Sequence, residues 1–291
     1  MRIAVLTDTV GWQGEALRAA FDRRGIEVAF VSLRQCRFDT RAPQGLCLPD
    51  FEDCLPDGVF VRQVAGGTLE QVVLRLDVLH ALQSAGVLVY NNARVIERTV
   101  DKAMTSWLLH RAGLPTPLTW AAESDSGARD WLGAQRADCH EAVAKPLFGS
   151  QGKGLRRVGA TPDTPRAEEF GGVLYLQQFL PPADDLYRSW RVFVIDDRAV
   201  AAMQRSTTDW ISNVAQGAHC TAVEPVGELA DLAVAASRAV ESAYAGVDIM
   251  QGTSGAWQVI EVNGIPAWQG LQSVSAVNIA DELVASFIAR C

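Results

Sequence analysis

Lys145 and Lys153 lie in a stretch, Ala142 to Leu155 (AVAKPLFGSQGKGL), whose residue types suit the binding of a polyphosphate. A short apolar run carries Lys145 to Pro146. The chain then opens into a loop where Gly149, Gly152 and Gly154 surround Ser150, Gln151 and Lys153. Glycines let backbone N–H groups approach a ligand without an intervening Cβ, and a lysine among them adds a point charge. The expected guest is ATP. Commoner glycine signatures are excluded by counting. A P-loop needs glycine at Leu147 and Ser or Thr at Gly154, a dinucleotide fingerprint beginning at Gly152 fails at Arg157, and a nucleophile elbow around Ser150 needs glycine at Phe148. Taken alone, such a loop also fits a plain surface hairpin.

A second stretch, Ala245 to Leu271 (AGVDIMQGTSGAWQVIEVNGIPAWQGL), adds hard oxygen ligands. Its runs Val247 to Met250 and Trp257 to Val262 predict two strands joined by a Gly-bearing turn. Side chains alternate across a strand, so Glu261 and Asn263 share a face that Asp248 on the partner strand can meet. Two carboxylates and an amide oxygen suit magnesium, one ion or two, with manganese as an alternative. A solvated hairpin fits poorly, because Asp248 and Glu261 stand among Val, Ile and Met, where an unpaired charge is costly.

Composition bounds the partners. The chain of 291 residues is long enough for two or three compact units, and 48% hydrophobic with 21% charged residues is ordinary for a globular protein. A net charge of -8 without a basic tract argues against nucleic acid. The N-terminal apolar run meets Asp8 too early for a signal peptide and no segment has membrane-spanning length, so no membrane partner is expected and a cytoplasmic location is. The six cysteines show no paired CxxC spacing; Cys139-His140 and His219-Cys220 are adjacent pairs whose side chains diverge, which disfavours structural zinc.

Around these residues the pattern predicts an α/β chain with α+β parts. A strand at Ile3 to Leu6, a helix to about Arg24 closed by Gly25, and a strand at Ile26 to Val31 predict a parallel sheet, which Val59 to Arg62 and Val87 to Tyr90 extend. Between them lie a long irregular connection, Leu33 to Asp57, and a helix from Thr68 to Ala85 with Leu69, Val72, Val73, Leu76, Leu79 and Leu82 on its apolar stripe and His80 on its surface. Helical pattern returns from Val95 to Arg111, interrupted near Thr99, and again from Asp130 to Ala137. Strands follow at Val173 to Leu180, Leu186 to Ile195 and Ala199 to Arg205, and helices at Glu228 to Ala243 and Asn278 to Ala289. The expected partition is residues 1–92, a central unit 93–172 carrying the flap, and a C-terminal unit 173–291 carrying the metal ligands.

VAKPLFGSQGKGL followed by GVDIM and VIEVNGIPAWQGLQ resembles the ATP-grasp superfamily, and within it the RimK-type alpha-L-glutamate ligases, from about Tyr90 to Ser273. The resemblance implies the ATP-grasp fold, a small N-terminal parallel-sheet domain followed by two α+β domains that sandwich ATP. It implies a carboxylate–amine ligase working through an acyl phosphate and releasing ADP and phosphate. It places Lys102, Lys145 and the flap on the phosphates, Gln178 and Phe179 at the adenine, Asp248, Glu261 and Asn263 on magnesium, and Arg191 and Arg205 at the transferred group. Ser212, Asn213 and Trp268 then fall to substrate.

Three positions depart from the family pattern: Gln178 replaces a glutamate, Ser189 an aspartate and Ile211 an arginine. Loss of the guanidinium at Ile211, with Trp190, Trp210 and Trp268 close in sequence to the departures, implies a pocket for a small flat acceptor carboxylate and an incoming amino acid such as L-glutamate. IPAWQGLQ and DWISNVAQGA resemble the subgroup linked to one-carbon carrier cofactors, such as tetrahydromethanopterin glutamate ligases. The competing readings are an ATP-binding protein without ligase activity, which the intact metal ligands disfavour, and a ligase acting on a dipeptide or a protein C-terminus. The oligomeric state is left open, a homo-oligomer included.

Overall fold

The computed structural model describes residues 1–137, 141–149, 152–158, 164–211 and 217–291. In the N-terminal part, β1 (Ile3–Leu6), α1 (Gly11–Asp22) and β2 (Val28–Val31) form the expected strand–helix–strand unit, and Gly25 at φ +69° ends the helix where a Cβ would be strained. A short hairpin of β3 (Arg37–Phe38) and β4 (Leu46–Cys47) occupies the irregular connection. Then come β5 (Gly58–Val61), α2 (Leu69–Ser84) and β6 (Leu88–Tyr90), giving a parallel sheet in the order β2-β1-β5-β6. Helix α2 starts at a Thr68/Gln71 capping box. Its buried face is Arg75, Val78, Leu79 and Leu82, whereas Leu69 and Val73 of the expected stripe point to solvent. The helix packs on the sheet only through its C-terminal half, so hydrophobicity at its start decides nothing about burial. His80 is indeed a surface residue and meets Glu97 at 2.8 Å.

The helical pattern after Tyr90 resolves into α3 (Ala93–Val100) and α4 (Lys102–Arg111), broken at Asp101. Asp101 caps α4 by accepting from the N–H groups of Ala103 and Met104, which makes Lys102 the first residue of that helix. Strand β7 (Thr119–Ala122) and helix α5 (Asp125–Ala137) precede β8 (Ala142–Lys145), β9 (Arg156–Val158) and β10 (Leu174–Gln178). These strands make an antiparallel sheet in the order β7-β10-β8-β9. Strand β10 is therefore hydrogen-bonded into the central sheet, on the other side of the expected 172/173 division from its partners.

The remaining strands, β11 (Tyr187–Ile195), β12 (Arg198–Thr207), β13 (His219–Val223), β14 (Tyr244–Gln251) and β15 (Trp257–Asn263), form an antiparallel sheet ordered β13-β12-β11-β14-β15. The edge strand β13 has no alternating apolar pattern and was not expected; its backbone pairing with β12 makes it a strand. Helix α6 (Gly227–Ala239) covers one face, packing on Trp190, Val192 and Val194. The short α7 (Gln269–Gln272) and α8 (Ile279–Ile288) lie on the other, where Phe193 and Ile195 join Ile3, Phe21, Phe60 and Tyr90 in one core with the N-terminal sheet. Alternation along β11 thus sends even-numbered residues to α6 and odd-numbered ones to the face shared with the N-terminal unit. Buried Asn91 locks this junction, donating to Tyr244 O at 2.7 Å and Gly264 O at 2.8 Å and accepting from Ala243 N at 2.8 Å.

Candidate functional site

Farther up the same odd-numbered face, Ser189 and Arg191 leave the core and line a cleft between the central and C-terminal sheets. Strand register explains its floor. Arg191 on β11 stands opposite Asp248 on β14, and Asp248 opposite Glu261 on β15, while Arg205 on β12 stands opposite Ser189. Hydrophobic residues flank Arg191, Asp248 and Glu261 on both sides, so burial of those neighbours on the opposite face turns the three charged groups onto the open one.

Charge is concentrated there. Arg191 grips Asp248 with Nε to Oδ1 at 2.5 Å and Nη2 to Oδ2 at 2.6 Å, and Arg205 adds Nη2 to Oδ1 at 2.7 Å. Burial raises the Asp248 pKa, but the two guanidiniums more than offset it and hold the carboxyl below its ordinary range. Burial lowers the Arg205 pKa, whereas at Arg191 the same burial is overcome by Asp248. The Arg205 Nε is buried without a hydrogen-bond partner among the described residues. Sequence spacing placed Asp248 beside Glu261, as found, but gave no sign that both arginines converge on it.

The two lysines reach the cleft from the central sheet and α4. Lys102 Nζ donates to Gly149 O at 2.8 Å and Leu147 O at 3.3 Å, so the first residue of α4 holds the start of the glycine loop; burial lowers its pKa. Lys145 Nζ donates to Gln177 Oε1 at 2.6 Å, and burial brings its pKa down to about 8 against the opposing pull of Glu261. Gln177 is buried and passes the contact on, its Nε2 donating to Tyr175 Oη at 3.1 Å, which pairs with Ser106 Oγ at 2.8 Å. Sequence reading chose the neighbouring Gln178 and missed Gln177. The available signal was its place two residues from Tyr175, on the same face of a strand otherwise rich in apolar residues.

Other expected residues divide. Gly149, Gly152, Lys153, Gln178, Phe179 and Asn263 line the cleft, and Gly154 lies beside it with φ +72°, where a Cβ would sit 2.9 Å from Pro146 Cγ. Val143, Leu155, Met250 and Ile260 supply apolar walls near Phe179. The N–H groups of Gln178 and Phe179 are already donated to Leu118 O and Glu141 O, so neither can serve a bound base. Ser150, Gln151, Ser212 and Asn213 lie outside the described residues. Of the three tryptophans, Trp210 lines the cleft with Ile211, 6.2 Å from the Phe179 ring. Trp190 faces α6 against Trp257, and Trp268, 1% exposed, packs on Phe193 in the core; neither lines the cleft. Trp268 thus departs from its expected place on a substrate wall, because it follows Pro266 into the junction with the N-terminal unit.

Solved structures with this arrangement are ATP-grasp ligases. PsnB complexed with its minimal precursor gives a TM-score of 0.78 at 22% identity over 99% of this chain and 98% of that one. The D-cycloserine synthetase DcsG gives 0.73 at 17% identity over 100% and 99%. These likenesses establish the fold. Residues 99–287 match the RimK-like ATP-grasp domain, and the chain belongs to that family of ligases. It is 36% identical to the tetrahydromethanopterin:alpha-L-glutamate ligase of Methanococcus maripaludis over 98% of this chain and 97% of that protein. The protein of the same description from Methanocaldococcus jannaschii is also 36% identical, covering 80% and 79%. A probable alpha-L-glutamate ligase of Legionella pneumophila is 27% identical over 98% and 94%. The enzyme is an ATP-dependent carboxylate–amine ligase.

Proposed function

We propose that this ligase adds L-glutamate, or a similar small amino acid, to the carboxylate of a small flat acceptor of the one-carbon-carrier type. The observation that supports it most is that Ile211, beside Trp210, gives the cleft an aliphatic lining residue where the family pattern has a cation. The near full-length similarity to tetrahydromethanopterin:alpha-L-glutamate ligases points the same way. A buried doubly anionic peptide terminus would need a paired charge that Ile211 does not provide.

In this reading ATP lies between the two antiparallel sheets, its base among Val143, Leu155, Met250 and Ile260. Since the Gln178 and Phe179 amides are engaged, backbone contact with the base shifts to the chain beyond them, at Leu180. Lys102, Lys145 and the amides of the glycine loop neutralise the phosphates. Glu261, Asn263 and Asp248 fit a hard divalent ion, magnesium, through their oxygens: Glu261 has no ion-pair partner among the described residues and lies in the field of Lys102, Lys145 and Arg191, and Asp248 Oδ2, which takes one guanidinium donor where Oδ1 takes two, retains a lone pair. Bound there, the ion would neutralise charge on the phosphoryl oxygens. Arg191 and Arg205, oriented by Asp248, place cationic donors along the path of the transferred phosphoryl group, and the free Arg205 Nε–H is available to an oxyanion. No protein nucleophile is required, since the acceptor carboxylate attacks the γ-phosphate and the amine then displaces phosphate from the acyl phosphate. We assign the functional units as the N-terminal sheet, a central unit that includes β10, and the C-terminal five-stranded sheet, in a cytoplasmic enzyme.

The test is ADP release with amino acids offered against pterin, furan and aromatic acids and against ribosomal protein, with product mass measured alongside. Amino-acid-dependent ADP formation with a small acceptor and a product heavier by one residue is expected. Glutamylation of a polypeptide tail with none of the small acids used would overturn the reading.

A further inference from the structure

A second polar locus lies at the junction of the N-terminal and C-terminal units, outside the cleft lining described above. In the sheet order β2-β1-β5-β6, β1 has neighbours reached by connections on its two sides, so the ends of β1 and β5 form a topological switch point. Ligands of doubly wound sheets bind beyond the carboxyl ends of strands at such points. Arg62 is the residue immediately after β5, and its N–H donates to Leu6 O at the end of β1 at 2.9 Å. Its guanidinium lies 4.7 Å over the Trp268 ring and donates through Nη1 to Pro266 O at 3.2 Å.

Arg62 is largely desolvated, which lowers its pKa; the neutral Tyr244 hydroxyl lies against its side chain, and no carboxylate pairs with it among the described residues. Asp8, two residues beyond β1, is committed to Ser32 at 2.6 Å and Arg34 at 2.7 Å. A partly buried cation held only by a ring face and neutral oxygens keeps its charge available to an anionic ligand. Trp268, directly beneath it, has a buried indole N–H with no hydrogen-bond partner among the described residues. Trp12, the second residue of α1, meets Trp268 edge-on at 6.4 Å while remaining 41% exposed. The N-terminus of α1 has no side-chain cap and no acidic residue in its first turn, so its amide dipoles also favour an anion there. The locus adjoins the catalytic cleft: a Cβ on Gly246 would lie 2.8 Å from Pro266 Cβ and 3.0 Å from Arg191 Nη1. Pro266, whose carbonyl Arg62 holds, and Arg191 thus both flank Gly246.

We propose that Arg62 receives a second carboxylate of the acceptor molecule, distinct from the one that attacks the γ-phosphate, and that the exposed Trp12 indole covers the acceptor's flat ring. This rests on the small-acceptor reading above and names its docking end; Arg62 orients the acceptor and takes no part in phosphoryl transfer.

The probe is pterin-6-carboxylate, a flat ring bearing one carboxylate, titrated calorimetrically into the nucleotide-free full chain, with unsubstituted pterin as the control. Arg62→Gln keeps a donor for Pro266 O and removes the charge. It is expected to weaken pterin-6-carboxylate binding about tenfold or more, with Arg62→Lys recovering part of the loss and pterin itself indifferent to both. Trp12→Leu, on the surface, is expected to weaken both probes several-fold. In turnover, Arg62→Gln raises KM for the acceptor and leaves KM for ATP unchanged. Failure of the wild-type chain to bind the probe, or equal affinity in wild type, Arg62→Gln and Trp12→Leu, would overturn the subsite. Arg62-dependent binding without ligase turnover would remove the functional reading and keep the subsite; turnover without Arg62 dependence would do the reverse.

Discussion

Gln177 accepts the Lys145 ammonium at 2.6 Å across the β8–β10 pair, so the lysine that faces the phosphates is held by a buried amide and not by a carboxylate. A neutral partner fixes the direction of the ammonium without cancelling its charge, which stays available to a polyphosphate. Gln177→Leu removes the acceptor and is expected to raise Kd for ATP about tenfold or more, the usual worth of a hydrogen bond to a charged group. Direct nucleotide titration of a variant with unchanged melting temperature checks it.

The same lysine sets a pH dependence. Its pKa is pushed down to about 8, so the charged form that binds phosphate is lost as pH rises through that value. ATP affinity is expected to be flat at neutral pH and to fall above about pH 8, with the dependence abolished in Lys145→Met. In the nucleotide-free enzyme the folded chain binds fewer protons than the unfolded one between about 8 and the ordinary 10.5, so Lys145 makes stability rise with pH across that window. Chemical denaturation at several pH values, compared with Lys145→Met, measures the contribution.

Asp248 and Glu261 face each other in register but should respond differently to neutralisation. Asp248→Asn strands two buried guanidiniums and is expected to cost about 3–5 kcal/mol of stability as well as activity. Because its folded pKa is depressed, the Asp248 contribution is complete above the ordinary carboxylate range and disappears as pH falls through the folded value. Glu261→Gln makes no such orphan and is expected to remain as stable as wild type within about 1 kcal/mol while losing turnover. A folded Glu261→Gln with wild-type rates would remove it from the metal set.

The glycine loop gives a steric prediction. Gly154→Ala places a methyl 2.9 Å from Pro146 Cγ at a φ of +72°, costing about 1–2 kcal/mol and displacing the loop that Lys102 holds at Gly149. KM for ATP should rise more than the acceptor KM. Hydrogen exchange at the Gly152 and Gly154 amides should slow when ATP and magnesium are added to wild type, and exchange unchanged by nucleotide would detach this loop from the phosphates.

Sequence alone was enough for whatever depends on local pattern. Period-two alternation placed Glu261 and Asn263 on one face of β15, the glycines flagged the loop after Lys145, and the motifs in their order pointed to the ATP-grasp ligases now confirmed by family and fold. The helical pattern also showed an interruption near Thr99, but that Asp101 caps a new helix with Lys102 as its first residue came from the structure. What required the tertiary structure were pairings between strands far apart in the chain. Arg191, Arg205 and Asp248 meet because β11 lies between β12 and β14, an order that no spacing encodes. Gln177, and not Gln178, faces Lys145 because strand parity relative to a distant partner selects it. Trp268 is core and Trp210 is cleft wall because burial is decided by which unit packs over a residue, and an indole is equally at home in either place.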